Sequence, residues 1–271
     1  MIAETIPEAL EQAAERAELW RGFHFIKEDE GAEPFYSFAG AERASARLGG
    51  ALQALGLRRG DRVALILPDS DDFVFTFLGA IRAGLVPVPI YPPSGAGVLA
   101  SYLDNTKHIV AKSSAKALIT SSSIKRLLGT VKAACPALRH VVSIEGLRDA
   151  REPLKPAKVG PDDVAFLQFT SGSTSKPKGV VLTHASIVAN VKAINHDALK
   201  ITPEDVGVSW LPLYHDMGLI GFVLSPIFDR VSGGRSFRRS RSLKRPVSAS
   251  SDHPIPSGSS RSAPNFAYSL S

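Results

Sequence analysis

Between Leu57 and Ile144 the chain alternates short apolar runs with longer stretches of helical spacing, and few architectures accept that pattern. Arg62–Leu67, Leu85–Ile90, Ala117–Thr120 and His140–Ile144 are too short for helices and are bounded by turn residues, which predicts strands. Phe38–Leu55 is alanine-rich and stops at Gly56, as a helix does. The next helical stretch opens on Asp69, Asp71 and Asp72, acids that favour the positive end of a helix, and stops at Gly84. Val98–Lys112 and Ser123–Ala134 predict further helices. Pro7–Trp20 predicts one more, with Leu10, Ala13, Ala14, Ala17 and Leu19 at helical spacing. Such alternation predicts an α/β fold of mostly parallel sheets flanked by helices.

Composition narrows the function classes. The single cysteine, Cys135, excludes an internal disulfide and fits a reducing compartment. No apolar run approaches the roughly 20 residues of a membrane span. Met1–Glu18 carries five glutamates, unlike a secretory signal, so the expected location is cytoplasmic. The net charge of +6 is local. Residues 229–261 hold eight lysines and arginines against two acids, and the remainder is neutral with 24 of each. Residues 232–262 contain eleven serines and few large apolar side chains, so the segment is expected to lack order. A basic nucleic-acid-binding arm at Arg235–Arg245 is a competing reading, but it lacks interleaved aromatics and a recognisable module. No nucleic-acid partner is expected.

The residues that carry chemistry lie between Val164 and Asn190. A strand, Val164–Phe169, enters Thr170-Ser171-Gly172-Ser173-Thr174-Ser175-Lys176-Pro177-Lys178-Gly179, and a second strand, Val180–Thr183, leaves it. Hydroxyls and exposed N–H groups in a turn of small residues surround phosphate oxygens without steric conflict. Lys178 offsets the phosphate charge. The loop is not a Walker A loop, because no Gly-Lys-Ser/Thr follows and it does not open into a helix.

The whole string resembles the phosphate loop of the acyl-adenylating superfamily, which includes acyl-CoA synthetases and fatty acyl-AMP ligases. Ser175 stands where many members have glycine, a departure common among fatty acyl-AMP ligases. Val208–Leu219, with Trp210, His215 and Asp216, resembles that family's next motif, and Val86–Pro93 resembles a structural segment of it. Ala263–Leu270 resembles a stretch near the acyl tunnel. The resemblance therefore covers 1–231, a partial AMP-binding domain, and resumes over 263–271. Across the intervening 232–262 a neighbouring reading frame can supply an apolar strand and a helix, so a local frameshift is the expected origin of the serine- and arginine-rich stretch.

The resemblance implies ATP-dependent activation of a long-chain fatty acid. Acyl-AMP and pyrophosphate form, and the acyl group passes to an acyl carrier protein or polyketide synthase, or to coenzyme A in the acyl-CoA ligase reading. It implies ATP and Mg²⁺ as cofactors. Thr170, Ser171, Gly172, Ser173, Thr174 and Lys178 would hold the phosphates, and His215 would lie beside the carboxylate and adenylate. Family members also carry a ribose-binding aspartate and a mobile C-terminal domain with an assisting lysine. Neither is found here, so little adenylation by this chain alone is expected, and so is poor solubility. Phe73, Phe75, Phe77, Phe222 and Phe228 read as core rather than as an acyl tunnel.

Overall fold

A computed structural model of the chain describes residues 3–26, 34–93, 99–170, 176–202, 205–229 and 232–237, the last as backbone. In chain order the elements begin with α1 (Ile6–Arg16), β1 (Gly22–Ile26), β2 (Phe35–Ser37), α2 (Phe38–Ala54), β3 (Arg62–Ile66), α3 (Ser70–Arg82) and β4 (Val86–Pro89). There follow α4 (Leu99–Ser113), β5 (Ala117–Thr120), α5 (Ser122–Lys125), α6 (Gly129–Ala134), β6 (His140–Ser143) and α7 (Ile144–Arg148). Next come the hairpin strands β7 (Val164–Thr170) and β8 (Lys178–Thr183), then α8 (His184–Lys192), β9 (Val206–Ser209), α9 (Asp216–Leu219), α10 (Ser225–Asp229) and β10 (Ser232–Phe237). Two π-helical stretches, Ala193–Ala198 and Ile220–Leu224, follow α8 and α9. The chain divides into two compact units, residues 1–9 with 42–188, and residues 10–41 with 189–271.

The first unit holds a four-stranded parallel sheet in the order β4-β3-β5-β6. Parallel strands covered by helices on both faces must be apolar on both, and Val63, Ala64, Leu65 and Ile66 are all fully buried. This is the parallel α/β arrangement that the alternation predicts. The helix stops hold as well: Gly56 and Gly84 sit at φ 77° and 75°, where a side chain would be strained. Phe73 and Phe77 stack at 5.9 Å, and Phe77 meets Phe166 edge-on at 5.3 Å, so these rings are core. Ser123–Ala134, predicted as one helix, is two short ones, because Gly129 disfavours a continuous helix at the junction.

Two ion pairs, each with one buried partner, tie distant segments of this unit together. Arg82 is buried on α3, donates to the Glu42 carbonyl at 2.7 Å and to the Ser45 hydroxyl at 3.0 Å, and pairs with the Glu42 carboxylate. Arg148 grips both oxygens of Asp72 at 3.0 and 2.5 Å. Burial still outweighs that partner and holds the Asp72 carboxyl above the usual carboxylate range.

The second unit holds a sheet in the order β2-β1-β10-β9. β1 is antiparallel to β2 and parallel to β10, and β10 is parallel to β9. Phe23 and Phe25 of β1 are buried, and Phe23 meets Phe38 edge-on at 5.5 Å. Residues 232–237 thus form a strand where the sequence predicts disorder. A strand flanked on both sides satisfies its N–H and C=O groups whatever its side chains. The register slips on both sides, between Phe23 and His24 and between Ser232 and Arg235, around the flexible Gly233-Gly234 pair. Residues 238–262, and the 263–271 stretch, lie outside the described residues.

The apolar run Leu219–Phe228 is helical in spite of its interruptions. Its π turn at Ile220–Leu224 widens the helix just before Pro226, whose ring bars the ordinary hydrogen bond to the preceding turn. Buried Asn195, in the other π stretch, joins this segment. Its amide donates to Asp229, and its oxygen accepts from the Ser225 hydroxyl at 2.5 Å. Among the described residues no helix is long and apolar enough to cross a membrane.

Val180 and Val181 on β8, and Val206, Val208 and Trp210 at β9, are between 38% and 60% exposed. Among the described residues β8 pairs only with β7, and β9 only with β10. Edge strands of this kind recruit other chains. Sedimentation velocity on the purified chain should show concentration-dependent association that Val181→Lys with Val208→Lys reduces; a monomer at all concentrations would contradict it. Arg82→Ala leaves the Glu42 and Ser45 oxygens without their donor and should lower stability by about 2–3 kcal/mol in urea unfolding followed by circular dichroism.

Candidate functional site

The phosphate-loop string folds as the hairpin its sequence predicts. β7 and β8 are antiparallel, and the register pairs Thr170 with Lys178, Phe169 with Gly179 and Gln168 with Val180. The two ends of the loop are therefore held opposite each other. The Thr170 hydroxyl donates to the Lys178 carbonyl at 3.4 Å, and both residues are exposed. Ser171, Gly172, Ser173 and Thr174 lie outside the described residues. Of the six predicted phosphate-holding residues, the structure brings Thr170 and Lys178 together at the loop's mouth.

Three features fix that mouth. Leu167 and Phe169 pack against the core cluster built on Ile66, Val88, Ile109 and Leu118. Gly179 lies under the Phe169 ring, where a Cβ would come within 2.9 Å of a ring carbon and would push the ring aside, so glycine allows the close crossing. His108 of α4 reaches the loop's exit, with Nε2 3.0 Å from the Pro177 carbonyl. A carbonyl only accepts, so Nε2 carries the proton there. Sequence reading passed over His108, because a lone polar residue on a helix gives no sign of what it will meet 69 positions later.

The strand leaving the loop ends in a reciprocal cap. The Thr183 N–H donates to the Ser186 hydroxyl at 3.1 Å, and the Ser186 N–H donates to Thr183 Oγ1 at 3.2 Å. His184, the first residue of α8, is buried, and burial lowers its pKa from the ordinary histidine value. At the entry to β7, Asp163 accepts from the Gly160 N–H at 2.7 Å and from Arg59 at 2.6 Å, which hold its carboxyl below the usual range.

His215 belongs to the second unit. It precedes α9 in extended conformation, and its Nδ1 lies 2.5 Å from the Asp216 carboxylate. Both side chains are more than half exposed, so the pair occupies a surface turn and is not buried. Asp216 also accepts from the Met217 N–H at 2.7 Å. Gly218 lets the turn close, since a Cβ there would sit 2.3 Å from the Pro212 carbonyl oxygen. The motif therefore presents the imidazole on a tight turn with a carboxylate beside it.

Hydroxyl, amide and lysine donors suit an anion, and the described residues contain no group of three or more His, Cys, Asp or Glu side chains suited to a metal. That donor set fits Mg²⁺ arriving on the nucleotide phosphates, since this ion commonly keeps its waters and takes few protein ligands. Cys135 is buried, and burial raises its thiol pKa, so it is a packing residue.

The sequence profile of the AMP-binding enzyme family matches residues 10–234. The chain is 38% identical over 176 residues to a putative acyl-CoA synthetase of Caulobacter vibrioides, covering 65% of this chain and 30% of that protein. It is 34% identical over 175 residues to a long-chain-fatty-acid–AMP ligase of Mycolicibacterium smegmatis, covering 62% of this chain and 26% of that protein. The chain thus spans about a third or less of the length of these relatives. A solved structure from studies of fatty acyl-adenylate ligases of E. coli and L. pneumophila superposes with a TM-score of 0.79 at 35% identity, over 86% of this chain and 41% of the other. The L. pneumophila fatty acyl-adenylate ligase in complex with acyl adenylate and pyrophosphate superposes with a TM-score of 0.73 at 26% identity, over 87% of this chain and 40% of the other. With the parallel sheet and the loop hairpin both in place, the chain belongs to the AMP-binding enzyme family.

Proposed function

We propose that this chain carries the phosphate-holding part of a site that activates a long-chain fatty acid with ATP, giving acyl-AMP and pyrophosphate. The observation that carries the reading is the hairpin register that sets Thr170 opposite Lys178 at the mouth of a hydroxyl-rich loop. Thr170, Ser171, Gly172, Ser173 and Thr174 hold the leaving pyrophosphate end by hydrogen bonds, and Lys178 balances its charge. Mg²⁺ bound to the phosphates held by these residues would supply further neutralisation of charge. Catalysis of this kind is mostly positioning, with the carboxylate attacking the α-phosphorus in line with the departing pyrophosphate. His215, steered by Asp216, is the group proposed to meet the acyl carboxylate and adenylate.

The names of the relatives support both acceptors. One is a fatty acid–AMP ligase, one is an acyl-carrier-protein ligase and one is an acyl-CoA synthetase. We favour transfer to a carrier-protein thiol, because Ser175 replaces the glycine common in the loop and Trp210–Leu219 has the acyl-AMP ligase form.

Two measurements test the proposal. Equilibrium dialysis should show Mg·ATP or pyrophosphate binding, weakened about tenfold by Lys178→Ala, the loss of one hydrogen bond to a charged group. Lys178 is exposed, so its replacement should leave unfolding unchanged. Absence of binding, or equal affinity in the variant, contradicts the phosphate role. Incubation with ATP, Mg²⁺ and a long-chain fatty acid, read by mass spectrometry, tests the chemistry. We expect little acyl-AMP from this chain alone and clear product when the chain is extended by the remainder of a relative such as the Mycolicibacterium ligase. Robust product from the chain alone would show that the residues here suffice.

A further inference from the structure

Helix α1 starts at Ile6, and the first N–H groups of any helix need partners from outside its own ladder. Thr5 takes one, its hydroxyl accepting from the Glu8 N–H at 3.4 Å. The Glu8 carboxylate in turn accepts from the Glu4 N–H at 2.9 Å. The Ile6 N–H is satisfied from 178 positions away, by Nδ1 of His184 at 3.2 Å. Ile6 and His184 are each 1% exposed, so water cannot replace either partner. An imidazole that accepts at Nδ1 is neutral, with its proton on Nε2.

His184 is also the first residue of α8, directly after β8, and its own N–H donates to the Asp163 carbonyl at 3.1 Å. The ring therefore lies where the positive ends of two helices meet. Protonation there removes the acceptor for Ile6 and places a cation against both dipoles. Arg59 and Arg62 line an adjoining cavity of about 310 Å³ together with His184. The carboxylates facing it are Asp163 and Glu8. Each is already engaged, Asp163 by Arg59 and the Gly160 N–H, and Glu8 by the Glu4 N–H. The cavity gives a proton a route to the ring.

We propose that His184 is an acid-released latch, which caps the first turn of α1 when neutral and frees that turn when protonated. Because the latch residue follows β8, it joins the start of the chain to the strand that leaves the phosphate loop. Burial depresses the folded-state pKa of His184 below its unfolded value. Its contribution is therefore complete above the unfolded pKa, about 6.5, and falls as pH drops from there to the folded-state value.

Amide hydrogen exchange read by mass spectrometry, corrected for the intrinsic rate, tests the latch between pH 7.5 and 4.5. The peptide holding Ile6–Leu10 should lose about tenfold of its protection on acidification, the effect of one lost helix cap, while a peptide holding Arg62–Ile66 keeps its own. His184→Asn offers an amide oxygen near the Nδ1 position and does not titrate, so its α1 protection should be equal at both pH values. Nitrogen-15 spectra of the wild-type imidazole give a readout that needs no variant, and should show Nδ1 unprotonated at pH 7.5. Protection that is unchanged with pH, an Asn variant that still responds, or a proton on Nδ1 at pH 7.5 would each overturn the proposal.

Discussion

The phosphate loop depends on a hairpin that cannot stand by itself. Two strands alone are marginal in water and need a third strand or a packed face. Here β7 is packed on both sides: Phe166 is fully buried against Phe77, while Leu167 and Phe169, which alternate on the opposite face, lean on the parallel-sheet core. The outer face of β8 contributes nothing comparable, since Lys178, Gly179, Val180 and Val181 are all exposed. The loop's two ends are thus aligned by one strand's burial and transmitted to the other by the ladder. Gly179 and His108 refine that alignment by allowing close approach and by holding the Pro177 carbonyl.

Much of this was legible because the alternation between Leu57 and Ile144 leaves a chain little choice. Strands that must be buried on both faces are apolar throughout, and the stops of α2 and α3 fall at Gly56 and Gly84 in positive φ, whereas Ser114 after α4 takes positive φ without being glycine and gives no such signal. The strands on either side of the loop were legible for a different reason: Val164–Phe169 and Val180–Thr183 are short apolar runs separated by a stretch of small polar residues. What the sequence hid was non-local. The Arg82–Glu42 pair, the His108 contact and the cap that His184 gives to Ile6 join positions 40, 69 and 178 residues apart. No periodicity reports such pairs. Both π stretches were hidden too, because a widened turn depends on what the helix must pass, such as Pro226, rather than on propensity.

His215 shows where a motif outruns its geometry. The turn that carries it is well determined: Gly218 closes against Pro212, and the His215 N–H donates to the Pro212 carbonyl at 3.1 Å. The imidazole itself lies against the carboxylate of its neighbour, Asp216, and both side chains are more than half exposed. A ring so placed can reorient toward a ligand at the cost of one solvent-exposed polar contact, which is worth about 0–1 kcal/mol. The backbone of the turn is fixed, whereas the exposed ring is not.

The strand between β1 and β9 poses the opposite problem. Ser-Gly-Gly-Arg-Ser-Phe has the ladder of a central strand without its composition. Backbone pairing answers the demand of buried N–H and C=O groups, but its net contribution per hydrogen bond is only about 1 kcal/mol. Lateral cohesion must come from the neighbours. β1 has it in Phe23 and Phe25, buried against their surroundings. β9 does not, since Val206 and Val208 remain more than a third exposed. Local preference and global position disagree at this one strand and agree at every strand of the parallel sheet in the other unit. In a chain whose patterning is otherwise consistent, this strand is held by the ladders of its neighbours rather than by its own side chains.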